Sequence, residues 1–101
     1  MKKKVMYSVK YLANTKANSN GIFGIDIPEG GDNNSKYVMD SFSYIKTKGK
    51  KVIYSAQFIA ECEVAEGETL EDAAFEIDIP EGGKNNSEYV EDSFELVGEA
   101  V

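Results

Sequence analysis

The residue types that carry most enzymatic chemistry are scarce in this sequence. It contains no histidine and a single cysteine, Cys62, although histidine is the commonest general acid or base and the commonest metal ligand. A reactive thiol needs a neighbouring cation or imidazole to lower its pKa. Cys62 instead falls on the inward side of a predicted strand, where a buried and inert thiol is the expected state. We therefore expect no enzymatic activity.

A glycine-lysine pair is the nearest approach to a phosphate-binding motif. Gly83 and Lys84 stand like the end of a P-loop, whose backbone amides cradle phosphate groups. That motif needs an earlier glycine where this chain has Asp78, and a serine or threonine where it has Asn85. No nucleotide cofactor is predicted.

The segment 26–35 is rich in the side-chain oxygens that hard cations such as Ca²⁺ prefer. Counted from Asp26, the spacing of a calcium loop fails because Pro28 takes the third place. In the related segment later in the chain, Lys84 replaces Asp32, and its ammonium group would repel a bound Ca²⁺. A turn that uses asparagine and glycine for its backbone geometry explains the segment better, so we predict no metal site.

The charges divide sharply between the two halves of the chain. Residues 1–51 contain ten lysines and four acidic residues, whereas residues 52–101 contain one lysine and fourteen acidic residues. Arginine, the preferred residue for bidentate recognition of phosphate, does not occur. Three explanations remain open. The halves neutralise each other, they pair between copies of the chain, or the acidic half binds a basic partner.

We expect the acidic half to be the binding surface. Catalytic carboxylates are usually tuned by burial or by a close partner, whereas these glutamates fall mainly on predicted solvent-facing positions. Their expected partner is a basic protein surface, for instance that of a nucleic-acid-binding protein. The candidate residues are Glu61, Glu63, Glu66, Glu68, Glu71, Glu88, Glu91 and Glu95.

The basic half raises the question of direct nucleic-acid binding. Its lysines would cluster if the N-terminus and the turn near Gly49 lay at neighbouring strand ends, and Tyr7 or Tyr11 could then stack on bases. Both tyrosines fall on the inward side of their strand, however, and the net charge is −7, so we expect no direct binding. The lysines concerned are Lys2, Lys3, Lys4, Lys46, Lys48, Lys50 and Lys51.

A tandem duplication must position all of these residues. The segment 25–45, IDIPEGGDNNSKYVMDSFSYI, recurs at 77–97 as IDIPEGGKNNSEYVEDSFELV, with fifteen of twenty-one residues identical. Repeated units share one core, and two separate domains of about fifty residues would each be marginal. We predict a single domain over 1–101, made of repeat one, 1–48, and repeat two, 49–101.

Each repeat begins with an alternating pattern that predicts a half-buried strand. Its apolar positions run from Val5 to Ala13 in repeat one and from Val52 to Val64 in repeat two. The lysine-rich segment 46–51 predicts a hairpin turn between the repeats.

The remaining segments predict a crossover and a second strand in each repeat. Thr69 is placed to cap a helix of two to three turns, whereas the first crossover, 18–24, contains two glycines and supports one turn at most. The tails, 37–45 and 89–97, predict second strands, with Tyr44 among the inward residues.

These elements predict an α+β fold of two tandem β-α-β repeats with pseudo-twofold symmetry, which form one mainly antiparallel sheet. A ferredoxin-like arrangement is the leading version. Because the first crossover is a weak helix former, a nearly all-β alternative stays open.

Repeat two also carries a family resemblance. Its alternating strand ending at Glu63, its short acidic helix and its segment YVEDSFELV at 89–97 resemble small strand-helix-strand proteins of bacteria, phages and mobile elements, such as the DpnD/PcfM-like group. The resemblance implies a small accessory protein without a defined activity. The duplication departs from the single unit of that group.

The functional expectation is a non-enzymatic binding protein of the inhibitor or anti-defence type. We expect a cytoplasmic protein without a membrane segment, because no apolar stretch approaches the roughly 20 residues that span a bilayer and the lone cysteine indicates no oxidising compartment. Two alternatives remain. One is a homo-oligomer driven by opposed charges, and the other is a protein that sequesters a small ligand or nucleotide in a pocket lined by Tyr7, Tyr11, Tyr54 and Phe58.

Overall fold

The structure is a computed structural model, and it describes residues 1–14 and 25–100. Over these residues the chain forms six strands and one helix. In chain order they are β1 (Lys2–Asn14), β2 (Lys36–Tyr37), β3 (Ser43–Lys48), β4 (Lys51–Glu63), α1 (Leu70–Ala74), β5 (Glu88–Tyr89) and β6 (Glu95–Glu99).

Two long antiparallel strands form the centre of the sheet. Strands β1 and β4 are 13 residues each, and their register runs from Lys2 opposite Glu63 to Asn14 opposite Lys51. The predicted alternation is confirmed, because every second residue is buried from Val5 to Ala13 in β1 and from Val52 to Cys62 in β4. A period of two places these residues on one face of the sheet.

The short strands extend this pair on both sides. Strands β2 and β3 pair with the outer edge of β4, while β5 and β6 pair with the outer edge of β1, and all these pairings are antiparallel. The predicted hairpin is confirmed, since Lys48 lies opposite Lys51 and Gly49 adopts the positive φ of 64° that a tight turn needs. The fold is thus a mainly antiparallel sheet with one short helix.

One face of the sheet carries the core. Four large aromatic side chains from β1 and β4 occupy its centre, and each is 0% exposed. Helix α1 adds Ala73 and Ala74, and the segment after it adds Ile77. Phe42 and Phe94 cover the aromatic cluster from its two sides, because Phe42 stacks on Tyr54 at 5.0 Å and Phe94 on Tyr7 at 5.2 Å.

The prediction of continuous second strands over 37–45 and 89–97 is wrong. Each breaks into two short strands around a turn in which Asp40 and Asp92 adopt φ of 69° and 67°. A left-handed residue of this kind cannot continue a strand. Downstream of the turn the two copies differ, because Tyr44 is 45% exposed rather than part of the core, whereas Leu96 packs against the core.

The helix is capped as predicted but is shorter than predicted. Thr69 accepts a hydrogen bond from the backbone amide of Asp72 at 3.1 Å, as an N-cap should. The helix ends at Ala74, which makes it 5 residues long and less than two turns. Ile79 precedes Pro80 and is biased toward extended backbone, so few residues remain for further turns. The predicted first crossover, 18–24, lies outside the described residues.

Candidate functional site

A reciprocal contact joins the two duplicated loops, and we call it the loop clasp. It consists of Asp26, Asn33, Asp78 and Asn85. The backbone amide of Asp78 donates to Oδ1 of Asn33 at 2.8 Å, and the backbone amide of Asp26 donates to Oδ1 of Asn85 at 2.8 Å. Each asparagine side chain also donates to a backbone carbonyl at the end of a long strand. The loops therefore hold each other and the ends of the central strands.

The carboxylates of the loop clasp lie against glycines of the facing loop. A Cβ at Gly31 would lie 2.8 Å from Oδ2 of Asp78, and one at Gly83 would lie 2.8 Å from Oδ2 of Asp26. Both glycines have φ of +76°, which disfavours any residue with a Cβ. Each carboxylate also accepts a hydrogen bond from the backbone amide that follows the facing glycine. The carboxylates of Asp26 and Asp78 therefore have a structural role in holding the two loops together.

Two buried hydroxyl pairs link the loops to the core. The hydroxyl of Tyr7 lies 2.7 Å from Oγ of Ser35, and the hydroxyl of Tyr54 lies 2.7 Å from Oγ of Ser87. Both serines are buried, at 1% and 0% exposure. A buried hydroxyl without a partner is costly, so each tyrosine and serine require one another.

A third set of equivalent bonds shapes the turns after the loops. Glu29 accepts from the backbone amide of Tyr37 at 2.8 Å, and the hydroxyl of Tyr37 accepts from the backbone amide of Phe42 at 3.0 Å. Their counterparts in the second copy make the same bonds at 2.9 and 3.2 Å. The residues identical between the copies therefore have structural roles, and functional differences must be sought where the copies diverge.

The predicted ligand pocket between the repeats is wrong. Tyr7, Tyr11, Tyr54 and Phe58 are each 0% exposed, and their rings pack on one another with centroids 5.4 to 6.2 Å apart. Burial raises the pKa of Tyr7 and of Tyr54 to about 12, although the serine bonds partly oppose this, and burial raises the pKa of Tyr11 still further. These side chains fill a core and line no cavity.

Two open depressions occur at equivalent places beside the duplicated loops. The larger, of about 570 Å³, is lined by polar groups that include Asn14, Lys51, Glu81 and Glu88. The smaller, of about 320 Å³, lies beside Glu29 to Gly30 and Asn34 to Lys36. Small-molecule sites are usually concave and mostly apolar, and the larger depression is neither enclosed nor apolar. We assign no ligand to either.

Cys62 lies where the sequence predicted it. It is buried at the end of β4, with 4% of its surface exposed. Burial raises the pKa of its thiol, and the nearby carboxylates of Glu68 and Glu63 raise it further. A thiol in this environment is held in its protonated, unreactive form.

The eight candidate glutamates do not form one surface. Five lie at or beyond the end of β4: Glu61, Glu63, Glu66, Glu68 and Glu71. The other three lie along the opposite edge of the sheet, on and between β5 and β6: Glu88, Glu91 and Glu95. Glu88 pairs with Leu12 and Glu61 with Lys4, and these positions on β1 are about 26 Å apart at roughly 3.3 Å per residue.

Positive charges lie next to two of these glutamates. Glu63 pairs with the N-terminal ammonium group of Met1 at 2.7 Å, and this hydrogen bond, with the charge behind it, lowers the pKa of the Glu63 carboxyl. Lys2 lies directly across the sheet from Glu63, and Lys4 from Glu61. The two glutamates therefore contribute little net negative charge to a binding surface.

The remaining acids of this end lie close in sequence to an exposed aromatic residue, and we call this region the acidic helix surface. It consists of Glu66, Glu68, Glu71, Asp72, Phe75 and Glu76. Phe75 is 60% exposed, and one side of its ring lies on Phe94 with centroids 5.4 Å apart. Phe75 was not among the residues predicted from the sequence, although a signal was present: this residue falls off the apolar face formed by Leu70, Ala73, Ala74 and Ile77.

The condition under which the lysines would cluster is not met. Lys2 lies opposite Glu63 and Lys51 lies opposite Asn14, so the two groups occupy opposite ends of the central pair. Twelve steps along the strand separate them by about 40 Å. The lysines at the N-terminus face glutamates across the sheet, whereas those of the β3–β4 hairpin, Lys46 to Lys51, lie apart from them. No single basic groove results.

Within residues 1–14 and 25–100, no group of three or more acidic or cysteine side chains is arranged to hold a metal ion. In the same part of the chain, no helix has the length and apolar character needed to cross a membrane. The sequence matches no protein-family model, and comparison with curated proteins and with solved structures found no match.

Proposed function

We propose that this protein is a non-catalytic binding protein whose acidic helix surface occupies a basic surface of a macromolecular partner. One observation carries this proposal: Phe75 is 60% exposed within an acidic segment of the chain. Segment 64–83 contains seven acidic residues and no lysine. The proposed contact residues are the glutamates near the helix. Glu61 and Glu63 are not central to the contact, because positive charges lie next to them.

The combination of a ring and surrounding charge suits protein recognition. Binding energy is concentrated in a few anchors, often aromatic, while the charged rim determines the rate and specificity of encounter. The Phe75 side chain is held in place before binding, because it packs on Phe94, which in turn stacks on Tyr7 of the core. Little side-chain freedom would then be lost on binding.

The partner's chemistry follows from the charge. A surface that attracts clustered carboxylates carries lysine or arginine, as a nucleic-acid-binding groove does. The resemblance of repeat two to accessory proteins of phages and mobile elements supports an inhibitor that masks such a groove. The protein would then compete with nucleic acid for the same site.

The fold supports a finer interpretation of the scaffold. We infer that the two copies are strand-crossover-strand halves of a ferredoxin-like sheet related by a pseudo-twofold axis. Support comes from the order of the strands, in which the long strands are central and each short pair lies outside the other copy's long strand. The paired bonds of Tyr7 with Ser35 and of Tyr54 with Ser87 are consistent with this relation.

Capture from a lysate of the source cell tests the proposal. We expect the wild-type protein to retain a protein with a basic surface and to release it when heparin is added. Phe75→Ser and Glu76→Lys should each weaken capture by about tenfold or more, as loss of an anchor or reversal of a rim charge would. Glu88→Lys makes the same change of net charge on the other face of the sheet, opposite Leu12, and should leave capture unchanged.

Several results would contradict the proposal. Capture of no basic protein would do so, as would capture that the helix variants leave intact. An equal loss in Glu88→Lys would show that net charge alone matters. Far-ultraviolet circular dichroism of each variant confirms that the fold is retained.

A further inference from the structure

The sheet has a second face, which we call the open face. It consists of the alternate residues of β1 and β4 that point away from the core. Two apolar pairs lie on it, Met6 opposite Ile59 and Leu12 opposite Ile53, and all four side chains remain partly accessible. Between them lie the polar side chains Ser8, Lys10, Ser55 and Gln57.

The two edges of the open face carry opposite charges. On the outer side of β4, Lys36 lies opposite Ile59 and Lys46 opposite Ile53. Residues that pair directly across strands point to the same face, so both lysines border the open face. All of the positive charge on this edge comes from the first copy of the duplication.

The other edge is its acidic counterpart. On the outer side of β1, Glu88 lies opposite Leu12 and Glu95 opposite Ser8. Glu88 stands where the first copy has Lys36, and Glu95 stands where it has Ser43. Divergence between the copies has therefore given one edge of this face lysines and the other edge glutamates.

We propose that the open face is the interface of a homodimer, in which two sheets stack face to face about a twofold axis parallel to the strands. This rotation exchanges the left and right edges and keeps each position along the strand. Glu88 of one copy then meets Lys46 of the other, because both lie in the row of Leu12 and Ile53. In the same way, Glu95 of one copy lies about two residues along the strand from Lys36 of the other.

The apolar rows coincide in the same arrangement. The pair Met6 and Ile59 of one sheet stacks on the same pair of the other, and so does the pair Leu12 and Ile53. Aligned stacking of two sheets about 10 Å apart is a common way to bury such faces. The twofold contact is self-complementary, as an isologous interface requires.

The charges select this orientation over its nearest alternative. A twofold axis across the strands, in the plane between the sheets, would place Glu88 and Glu95 over the glutamate edge of the other copy. Like charges that face each other across an interface oppose association. The lysine and glutamate edges thus favour one stacking direction and disfavour the other.

The face is large enough for a stable contact. The two 13-residue strands and the shorter strands beside them, at about 3.3 Å per residue and about 4.8 Å between strands, cover an area on the order of 650 Å². Stable interfaces bury about 600 to 1,000 Å² on each partner. The acidic helix surface lies on the other side of the sheet and stays accessible in such a dimer. This inference therefore does not rest on the proposed function.

Complementary charge variants test the dimer by sedimentation velocity. The first variant combines Glu88→Lys with Glu95→Lys, and the second combines Lys36→Glu with Lys46→Glu. We expect the wild-type protein to sediment at twice its chain mass of 11.1 kDa. For each variant alone, the dissociation constant of the dimer should rise by about tenfold or more, because both edges of its open face then carry charges of the same sign. An equimolar mixture of the two should recover a one-to-one dimer.

Two further variants separate this interface from others. Ser55→Arg places a bulky charge in the middle of the open face and should also give a monomer. Glu76→Lys changes the acidic helix surface and should leave the dimer intact. The proposal is overturned if the wild-type protein is a monomer at every concentration, if the charge variants dimerise alone as well as the wild type, or if folded variants fail to recombine. A retained dimer in Ser55→Arg would also overturn it.

Discussion

The buried pair of Tyr7 and Ser35 offers a quantitative test of how the duplicated loop is attached to the core. Tyr7→Phe removes one hydroxyl and leaves the Ser35 hydroxyl buried, and Ser35→Ala does the reverse. The two oxygens lie 2.7 Å apart, and both residues are at most 1% exposed. Neither mutation removes much apolar contact, so the change in the free energy of unfolding reports mainly on the hydrogen bond.

The magnitudes follow from the cost of an unpaired hydroxyl. Each single substitution should lower the free energy of unfolding by about 2 kcal/mol, within the range of about 1–3 kcal/mol for a buried unpaired group. The double variant removes both partners and should cost only about 1 kcal/mol, near the net value of one hydrogen bond. The coupling energy is then about 3 kcal/mol, which is large for a double-mutant cycle.

Urea unfolding followed by circular dichroism measures these values at one fixed protein concentration, since self-association would make stability depend on concentration. The pair Tyr54 and Ser87 has the same geometry in the second copy and is an internal replicate. Additive single effects in either pair would refute the reasoning. So would cycles that differ between the two pairs by more than about 1 kcal/mol.

Three other predictions follow from the loops and the buried tyrosines. Asn33→Ala should cost about 2 kcal/mol of unfolding free energy, because it unpairs two backbone groups of the loop clasp, and hydrogen exchange should rise at the amide of Asp78 specifically. Gly83→Ala should cost about 2 kcal/mol or more, since its Cβ would meet Asp26, whereas Gly49→Ala has φ of +64° and no atom within 4 Å and should cost less by urea unfolding. Burial raises the pKa of two core tyrosines to about 12, against about 10 in the unfolded chain, so the folded state holds these protons more tightly. Their stabilisation is complete below pH 10 and is lost as pH rises to 12, at up to about 1.4 kcal/mol per pH unit for each tyrosine. Tyr7 and Tyr54 should therefore contribute tyrosinate absorbance only as circular dichroism is lost, and ionisation of either residue in a folded protein would contradict this.

Much of the sheet was predictable because its signal is local. Alternation along β1 and β4 depends only on the period of a strand, so the inward residues from Val5 to Ala13 were correctly placed. The hairpin at Gly49 and the cap at Thr69 also depend on neighbouring residues alone. Local backbone geometry limits such elements strongly, and sequence patterns report it well.

The failed predictions depend on contacts between distant segments. The break at Asp40 and its partner turn could not be seen in a pattern that looks continuous, because the turn is held by bonds to Gln57 in another strand. Whether the two groups of lysines cluster was likewise left open, because strand register sets which strand ends are neighbours. The proposed aromatic pocket was wrong because alternation along a strand shows which side chains point inward. It does not show whether those side chains pack against one another or leave a cavity.

By itself, the sequence determined that the chain is duplicated, that its long strands alternate, and that its charge is divided between the halves. The tertiary structure decided what the divided charge does. Antiparallel register placed the N-terminal lysines against Glu61 and Glu63, and it placed Lys46 and Glu88 on opposite edges of one face. Coulomb energy depends on the distance between charges in space, and sequence separation does not give that distance until the strands are paired.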